Sequence, residues 1–130
     1  MTPFTDDQLA WLQQEFDRCW PMIERAVKKM HEPYGRNYVW GRVADGTAQL
    51  FPGSESAVIT EISERVDGSK VVHTWLAGGE FDEVVSLAAI AEVAGKKAGC
   101  IAATFTGRPG FMSKIPDGYK LAAVVMRKEL

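Results

Sequence analysis

The apolar residues in the first thirty positions recur every three or four residues, the spacing of one face of an α-helix. They are Leu9, Leu12, Phe16, Cys19, Trp20, Ile23, Val27 and Met30. Thr5 and Gln8, just ahead of this run, have the spacing of a capping box. Pro21 lacks the amide hydrogen that a helix interior needs, so the pattern predicts one kinked helix or two helices with Pro21 in the first turn of the second.

The pattern between residues 37 and 77 changes from a helical to a strand-like one. Asn37 is placed to cap a short helix that closes at Gly46. Asp67 and Gly68 have the turn chemistry that tolerates positive φ, which predicts an antiparallel hairpin around them. The predicted strands of this part cover residues 47–51, 56–63 and 70–77.

The last third of the chain predicts a long helix followed by two more strands. The helix covers about residues 80–98 and is rich in alanine, which indicates close approach to a sheet. Residues 100–106 are almost wholly apolar, which is typical of a buried, central strand. One helical turn at residues 111–115 and a last strand at residues 119–126 complete the pattern.

Composition narrows the class of protein. The chain has 130 residues, 46% of them hydrophobic and 25% charged, so we expect one α+β domain over residues 1–130. A formal net charge of −2 provides no cationic surface for nucleic acid or for a membrane. Cys19 and Cys100 lack the spacing of a metal site, and we expect two buried, reduced thiols in a cytoplasmic protein. The acidic N-terminus does not have the pattern of a signal peptide, and no apolar run is long enough to span a membrane.

The order of the predicted elements, the hairpin that leads into the long helix, and the segment GRPGFMSKIPDGYK resemble the GNAT superfamily of N-acetyltransferases without its first strand. The resemblance implies a mixed, mostly antiparallel sheet flanked by helices. The stretch GTAQLFPGSESAVITEI and the loop that starts at Gly107 are also similar to small GNAT-like proteins of tailed bacteriophages. That second resemblance implies a virion-associated or assembly role, with phage structural proteins or further copies of the chain as partners.

The first resemblance places a coenzyme A site at the start of the long helix, at Ala77, Gly78 and Gly79. Helix N-termini bind phosphate through free amides and the helix dipole. Three carboxylates accompany this turn, with no Arg or Lys beside them, and their charge opposes a diphosphate. We therefore expect no tight binding of coenzyme A. The carboxylates belong to Glu80, Asp82 and Glu83.

Candidates for acid–base catalysis follow from the same resemblance. Lys114 stands where the family usually has a tyrosine acid, and Tyr119 lies close by but is expected to pack within the last strand. Glu61 is the preferred base, because apolar neighbours raise the pKa of a carboxyl group. Its alternative is an outward strand residue paired with a basic neighbour. His73 is a second candidate base, or a structural residue between Val72 and Trp75.

Two further residues are candidates for binding. Arg108 is placed by a Gly/Pro loop, and its guanidinium suits a carboxylate or phosphate or else a backbone carbonyl. Trp11 lies off the apolar face of the first helix, which suits a protein interface. The leading hypothesis is a non-catalytic GNAT-fold protein without a cofactor that acts by binding other proteins. A divergent N-acetyltransferase that uses acetyl-CoA is the alternative, followed by a module that binds a small ligand near Arg108.

Overall fold

Four strands, Ala48–Pro52 (β1), Ser56–Glu64 (β2), Lys70–Gly79 (β3) and Cys100–Phe105 (β4), form one sheet in the order β1-β2-β3-β4. The structure is a computed structural model that describes residues 3–107 and 113–130. The first three strands are antiparallel, and β4 runs parallel to β3. The predicted α+β fold with a mixed, mostly antiparallel sheet is confirmed.

Two helices, Asp6–Lys29 (α1) and Arg36–Ala44 (α2), cover one face of the sheet. Thr5 and Gln8 form the predicted capping box at the start of α1. The helix runs through Pro21, so the alternative of two helices is wrong. Pro21 is exposed and removes one backbone hydrogen bond, while Trp20 and Ile23 beside it are buried and hold the helix on the sheet.

The start of α2 differs from the prediction. Gly35, in an extended conformation, precedes the first helical residue, and no side chain caps the helix. Asn37 therefore lies within the first turn rather than at the cap. The chain turns sharply between α1 and α2 because His31 adopts a positive φ of 56°. Tyr34, just before α2, is partly buried and packs against the core.

A third helix, Phe81–Lys97 (α3), packs on the other face of the sheet. Its close approach, expected from the alanine content, is clearest at Gly95. A methyl group there would lie 2.7 Å from Cγ1 of Val72, so only hydrogen fits between this turn and β3. Glu80 caps the helix by accepting hydrogen bonds from the amides of Asp82 and Glu83.

The prediction that residues 100–106 form a buried, central strand is wrong. β4 lies at one end of the described sheet, and Ile101 is 71% exposed. The predicted last strand is also wrong, because residues 119–130 belong to no helix or strand. Apolar content predicts what a strand can bury, but burial also needs a neighbour on each edge and a layer on each face. The predicted turn at residues 111–115 begins outside the described residues.

The described residues offer neither a membrane span nor a metal site, and their two cysteines form no disulfide. None of their helices is long and apolar enough to cross a membrane. The same residues contain no cluster of three side chains suited to a metal ion. Both cysteines are free; Cys19 is buried, and Cys100 is partly exposed. The prediction of two buried thiols therefore holds for Cys19 only.

Glu83 fastens α3 to the loop between β1 and β2. Its carboxylate accepts hydrogen bonds from the hydroxyl of Ser54 at 2.9 Å, the amide of Glu55 at 2.9 Å and the hydroxyl of Ser56 at 2.5 Å. These bonds, that of Ser56 foremost, lower the pKa of Glu83 below its ordinary value of 4.5. The carboxylate at this position therefore binds part of the fold rather than an external ligand.

Glu83→Gln is expected to lower the melting temperature at neutral pH, because an amide lacks the charge and the second acceptor oxygen. A pKa that is lower in the folded state means that the contribution is complete above pH 4.5 and is lost as the pH falls through the folded value. The gap in melting temperature between wild type and variant should therefore close in acid. Asp82→Asn, in the same turn without these loop bonds, should change much less. If both substitutions lowered the melting temperature equally, Glu83 would contribute only through its charge at the start of the helix and not through its bonds to the loop.

Candidate functional site

The parallel strands β3 and β4 pair from Lys70 and Cys100 to Thr74 and Phe105, and beyond Thr74 the strand β3 pairs only with β2, as far as Gly79. Over the last five residues of β3, half of the backbone groups bond to β2 and the other half face away from it. No strand of the described residues pairs with that second edge. It faces a cleft of about 1380 Å³.

The cleft passes between the layers of the fold. The C-terminal half of α1 forms one wall, and the N-terminal half of α3 forms the opposite wall. Thr106 and Gly107, just after β4, also line the cleft. An extended ligand could lie along this edge of β3 and bond to the amides and carbonyls that no described strand pairs with, as an added strand does.

His73 lies on the wall of the cleft, within the part of β3 that pairs with β4. Its Nδ1 is 2.7 Å from Oγ1 of Thr104. Burial lowers the pKa of His73 below 6.5, and the nearby charge of Glu61 opposes this shift with a smaller effect. The imidazole is therefore neutral at pH 7. In the tautomer in which Nδ1 donates to Thr104, Nε2 carries the lone pair that a general base needs.

Glu61 lies opposite His73 on β2, so the structure brings the two candidate bases together. Its carboxylate accepts a hydrogen bond from Nη1 of Arg42 at 2.8 Å. Arg42 also donates to the carbonyl of Thr47 and stacks 4.5 Å from the ring centre of Trp75. Glu61 thus has the basic neighbour that its alternative interpretation required, and the ion pair with Arg42 engages its carboxylate.

An aromatic cluster next to His73 was not predicted from the sequence. Tyr34 lies 5.1 Å from Trp75 and 5.8 Å from Tyr38, measured between ring centres. All three residues line the cleft. Tyr38 lies in the first turn of α2 and Tyr34 lies before the helix, so their contact follows from the path of the chain between α1 and α2 rather than from helical spacing. The cluster forms an apolar wall for whatever occupies this end of the cleft.

Tyr119 also lines the cleft, although it was expected to pack within a strand. Its ring lies 5.2 Å from that of Phe105. Burial, the charge of Glu92 and a hydrogen bond to that carboxylate raise the pKa of Tyr119 to about 12. The phenol therefore keeps its proton at neutral pH and can donate a hydrogen bond. Lys114, the other candidate acid, is exposed at the rim, 5.5 Å from the ring centre of Phe81.

The start of α3 lies at the far end of the cleft, where Ala77, Gly78 and Gly79 line it. Gly78 lies so close to α1 that a methyl group there would be 2.3 Å from the carbonyl oxygen of Met22. The carboxylate of Glu80 accepts from the amides of Asp82 at 3.0 Å and Glu83 at 2.7 Å. These are the amides that would otherwise bind an anion, so a diphosphate does not fit this turn as it stands.

The two remaining candidates lie apart from this cleft or outside the described residues. Trp11 is 54% exposed on α1, as its position off the apolar face predicted, and its role in a protein interface stays a prediction. Arg108 lies outside the described residues, and its role in binding stays a prediction. Gly107, just before it, lines the cleft.

Comparison with known proteins identifies the fold but no family. No family model matches the chain. No curated protein matches it either. A ribosomal-protein-alanine N-acetyltransferase from Brucella melitensis biovar Abortus 2308 has a similar solved structure, with a TM-score of 0.56, 10% identity, and coverage of 88% of this chain and 92% of that one. A transcriptional regulator from Bacillus halodurans C-125 has a TM-score of 0.57 at 14% identity, covering 98% and 96%.

Similarity at such low identity shows the fold alone, and that fold is GNAT-like. The element order from α1 to β4 agrees with the resemblance drawn from the sequence. The resemblance to phage proteins stays a prediction, because neither solved structure bears on it.

Proposed function

We propose that this protein is a divergent N-acetyltransferase that transfers an acetyl group from acetyl-CoA to an amine. The observation that carries the proposal is the free edge of β3, which faces a cleft where a neutral imidazole and a protonated phenol are both present. The non-catalytic role suggested by the phage resemblance has no comparable support, although the same fold suits it.

Different residues of the cleft have different roles in acyl transfer. The thioester of acetyl-CoA supplies the activated acyl group. His73 accepts the proton that the amine loses as its nitrogen bonds to the acyl carbon. Tyr119, once turned from Glu92, donates a hydrogen bond or a proton to the sulfur as the carbon–sulfur bond breaks. The aromatic cluster of Tyr34, Tyr38 and Trp75 shields the acceptor end of the cleft from water.

Acetyl-CoA fits the cleft along β3 but not at the start of α3. The amides of a pantetheine arm match the free edge of β3. The start of α3 opposes the diphosphate, because Glu80 occupies its amides and adds negative charge. We therefore expect acetyl-CoA to bind weakly, and Glu80 to be the reason.

Glu80→Ser keeps a capping hydroxyl and removes the charge. Removing one charge at a helix N-terminus should tighten acetyl-CoA binding by roughly twofold to fivefold, because each such charge contributes about 0.3–1 kcal/mol. Isothermal titration calorimetry of the wild type and Glu80→Ser measures this change directly. Asp82→Asn is the matched control, since its carboxylate lies in the same turn without occupying the amides. Tight binding of acetyl-CoA by the wild type would contradict the proposal that Glu80 weakens this binding.

Activity is tested separately by following the release of free coenzyme A thiol in the presence of a panel of small amines and N-terminal peptides. We expect release that depends on the amine and increases in Glu80→Ser. If the wild type and Glu80→Ser show neither release nor a rise in melting temperature with acetyl-CoA, the proposed activity is wrong. The protein-binding hypothesis would then take its place.

A further inference from the structure

Besides Arg42, which is paired with Glu61, three positively charged side chains line the cleft. Arg25 and Lys29 lie one turn apart on the same face of α1, and Lys114 lies in the segment after β4. All three residues are exposed. None of the ion pairs among the described residues includes any of them, so their charges remain available to a ligand.

Two of these cations lie near the start of α3. Nζ of Lys114 is 5.5 Å from the ring centre of Phe81, the first residue of that helix. Arg25 lies one turn after Met22, whose carbonyl oxygen lies against Gly78. The sequence around the start of α3 contains no Arg or Lys. The tertiary structure therefore brings positive charge to this turn from two distant parts of the chain.

The backbone at the start of α3 is closed to an anion. The carboxylate of Glu80 accepts hydrogen bonds from the amides of Asp82 and Glu83. The carboxylate of Glu83 is in turn bonded to the loop between β1 and β2. An anion at this end of the cleft would therefore be held by side-chain cations rather than by the amides of the helix.

The position of these cations favours an anion on the donor rather than on a small acceptor. His73, the proposed base, and Gly78 are separated by roughly 15 Å along β3, at about 3.3 Å for each residue of an extended strand. The carboxylate of an amino acid lies next to its amine, so an acceptor of that size could not contact His73 and Arg25 together. The donor spans the distance, because its thioester and its diphosphate lie at opposite ends of the pantetheine arm.

We propose that Arg25, Lys29 and Lys114 form an anion subsite that binds the diphosphate of acetyl-CoA beside the start of α3. The inference rests on the proposed acetyl transfer and adds to it the residues that hold the donor. Lysine binds phosphate as a point charge, and arginine can bond two phosphate oxygens at once through its planar guanidinium. Glu80 and Asp82 oppose the anion, so we expect the subsite to be weak and sensitive to salt.

Isothermal titration calorimetry of the full chain with coenzyme A tests the subsite. Arg25→Gln, Lys29→Gln and Lys114→Gln should each weaken binding by about threefold to fivefold, and Arg25→Gln with Lys29→Gln by about tenfold or more. The same losses are expected with dephospho-coenzyme A, which keeps the diphosphate and lacks the 3′-phosphate. The titrations are repeated in Glu80→Ser, where the affinity is expected to be higher and the losses should be the same.

Lys28→Gln is the matched control. Lys28 is a cation in the same last turn of α1, but it pairs with Glu24 at 3.8 Å and does not line the cleft. This variant should bind coenzyme A as the wild type does. All the substituted side chains are exposed, so the variants should fold, with melting temperatures within about 2 °C of the wild type.

The subsite and the acetyl transfer can fail separately. Equal affinity of the wild type and the cleft variants for coenzyme A, or no binding to the wild type and Glu80→Ser, would overturn the subsite. Variants that bind coenzyme A normally but have a higher KM for the amine would assign the cations to the acceptor. An effect that disappears with dephospho-coenzyme A would assign them to the 3′-phosphate. Weaker binding by the variants, with no thiol release by the wild type, would support the subsite and contradict the acetyl transfer.

Discussion

Replacing Gly78 with alanine is expected to lower the free energy of unfolding by about 3 kcal/mol, the upper end of the usual cost of overpacking. The new methyl group would lie 2.3 Å from the carbonyl oxygen of Met22 in α1. The methyl group is bonded directly to the backbone and the oxygen belongs to it, so neither can rotate away. The helix α1 must therefore move off β3 to make room. The same residue lines the cleft, so that movement would also widen the site.

Thermal denaturation measures this effect, and the melting temperature should fall by about 10 °C. Gly41→Ala is the matched control, because Gly41 lies inside α2 with nothing within 4 Å of the added methyl group. That substitution should instead stabilise the protein by up to about 1 kcal/mol through helix propensity. If Gly78→Ala melted within about 2 °C of the wild type, α1 would not approach β3 as closely as the structure shows.

Replacing His73 with glutamine is expected to slow acetyl transfer by about 100-fold or more, the usual contribution of a general base. Glutamine keeps a side chain of similar size that can still bond to Thr104, but it cannot accept a proton. Glu61→Gln is the control that separates the two candidate bases. Because Glu61 is ion-paired with Arg42, we expect it to lose less than about tenfold. The reverse order of losses would make Glu61 the base.

The pH dependence of the rate distinguishes catalysis by His73 from a structural role. Burial lowers the pKa of His73 below 6.5, so the base is active at neutral pH and becomes protonated only in more acidic solution. The value of kcat/KM for the wild type should therefore fall as the pH drops through a value below 6.5. His73→Gln should lack this acidic limb. A slower variant with an unchanged profile would show that His73 only supports the site.

Local chemistry in the sequence was enough to predict much of the fold. The spacing of Thr5 and Gln8 predicted the cap of α1, and Asp67 with Gly68 predicted the turn between β2 and β3. Both signals act over two or three residues, so they survive without knowledge of the tertiary structure. The carboxylates that the sequence places at the start of the long helix lie there in the structure, where Glu80 caps the helix.

The candidate site depended on distances that the sequence does not contain. Tyr119 was assigned to a strand, yet it lines the cleft because Phe105 and Glu92 hold it there. Glu61 was preferred over His73 until the ion pair with Arg42 and the burial of the imidazole reversed their order.

By itself, then, the sequence determined the class of fold, the helices and the hairpin, because caps, turns and hydrophobic periodicity are interactions between near neighbours. Only the tertiary structure decided which side chains share the cleft, which ones are ion-paired and which strand is left at the edge. The physical reason is that burial and charge pairing depend on residues far apart in the chain. Such contacts between distant residues determine the pKa of His73 and the exposure of β4.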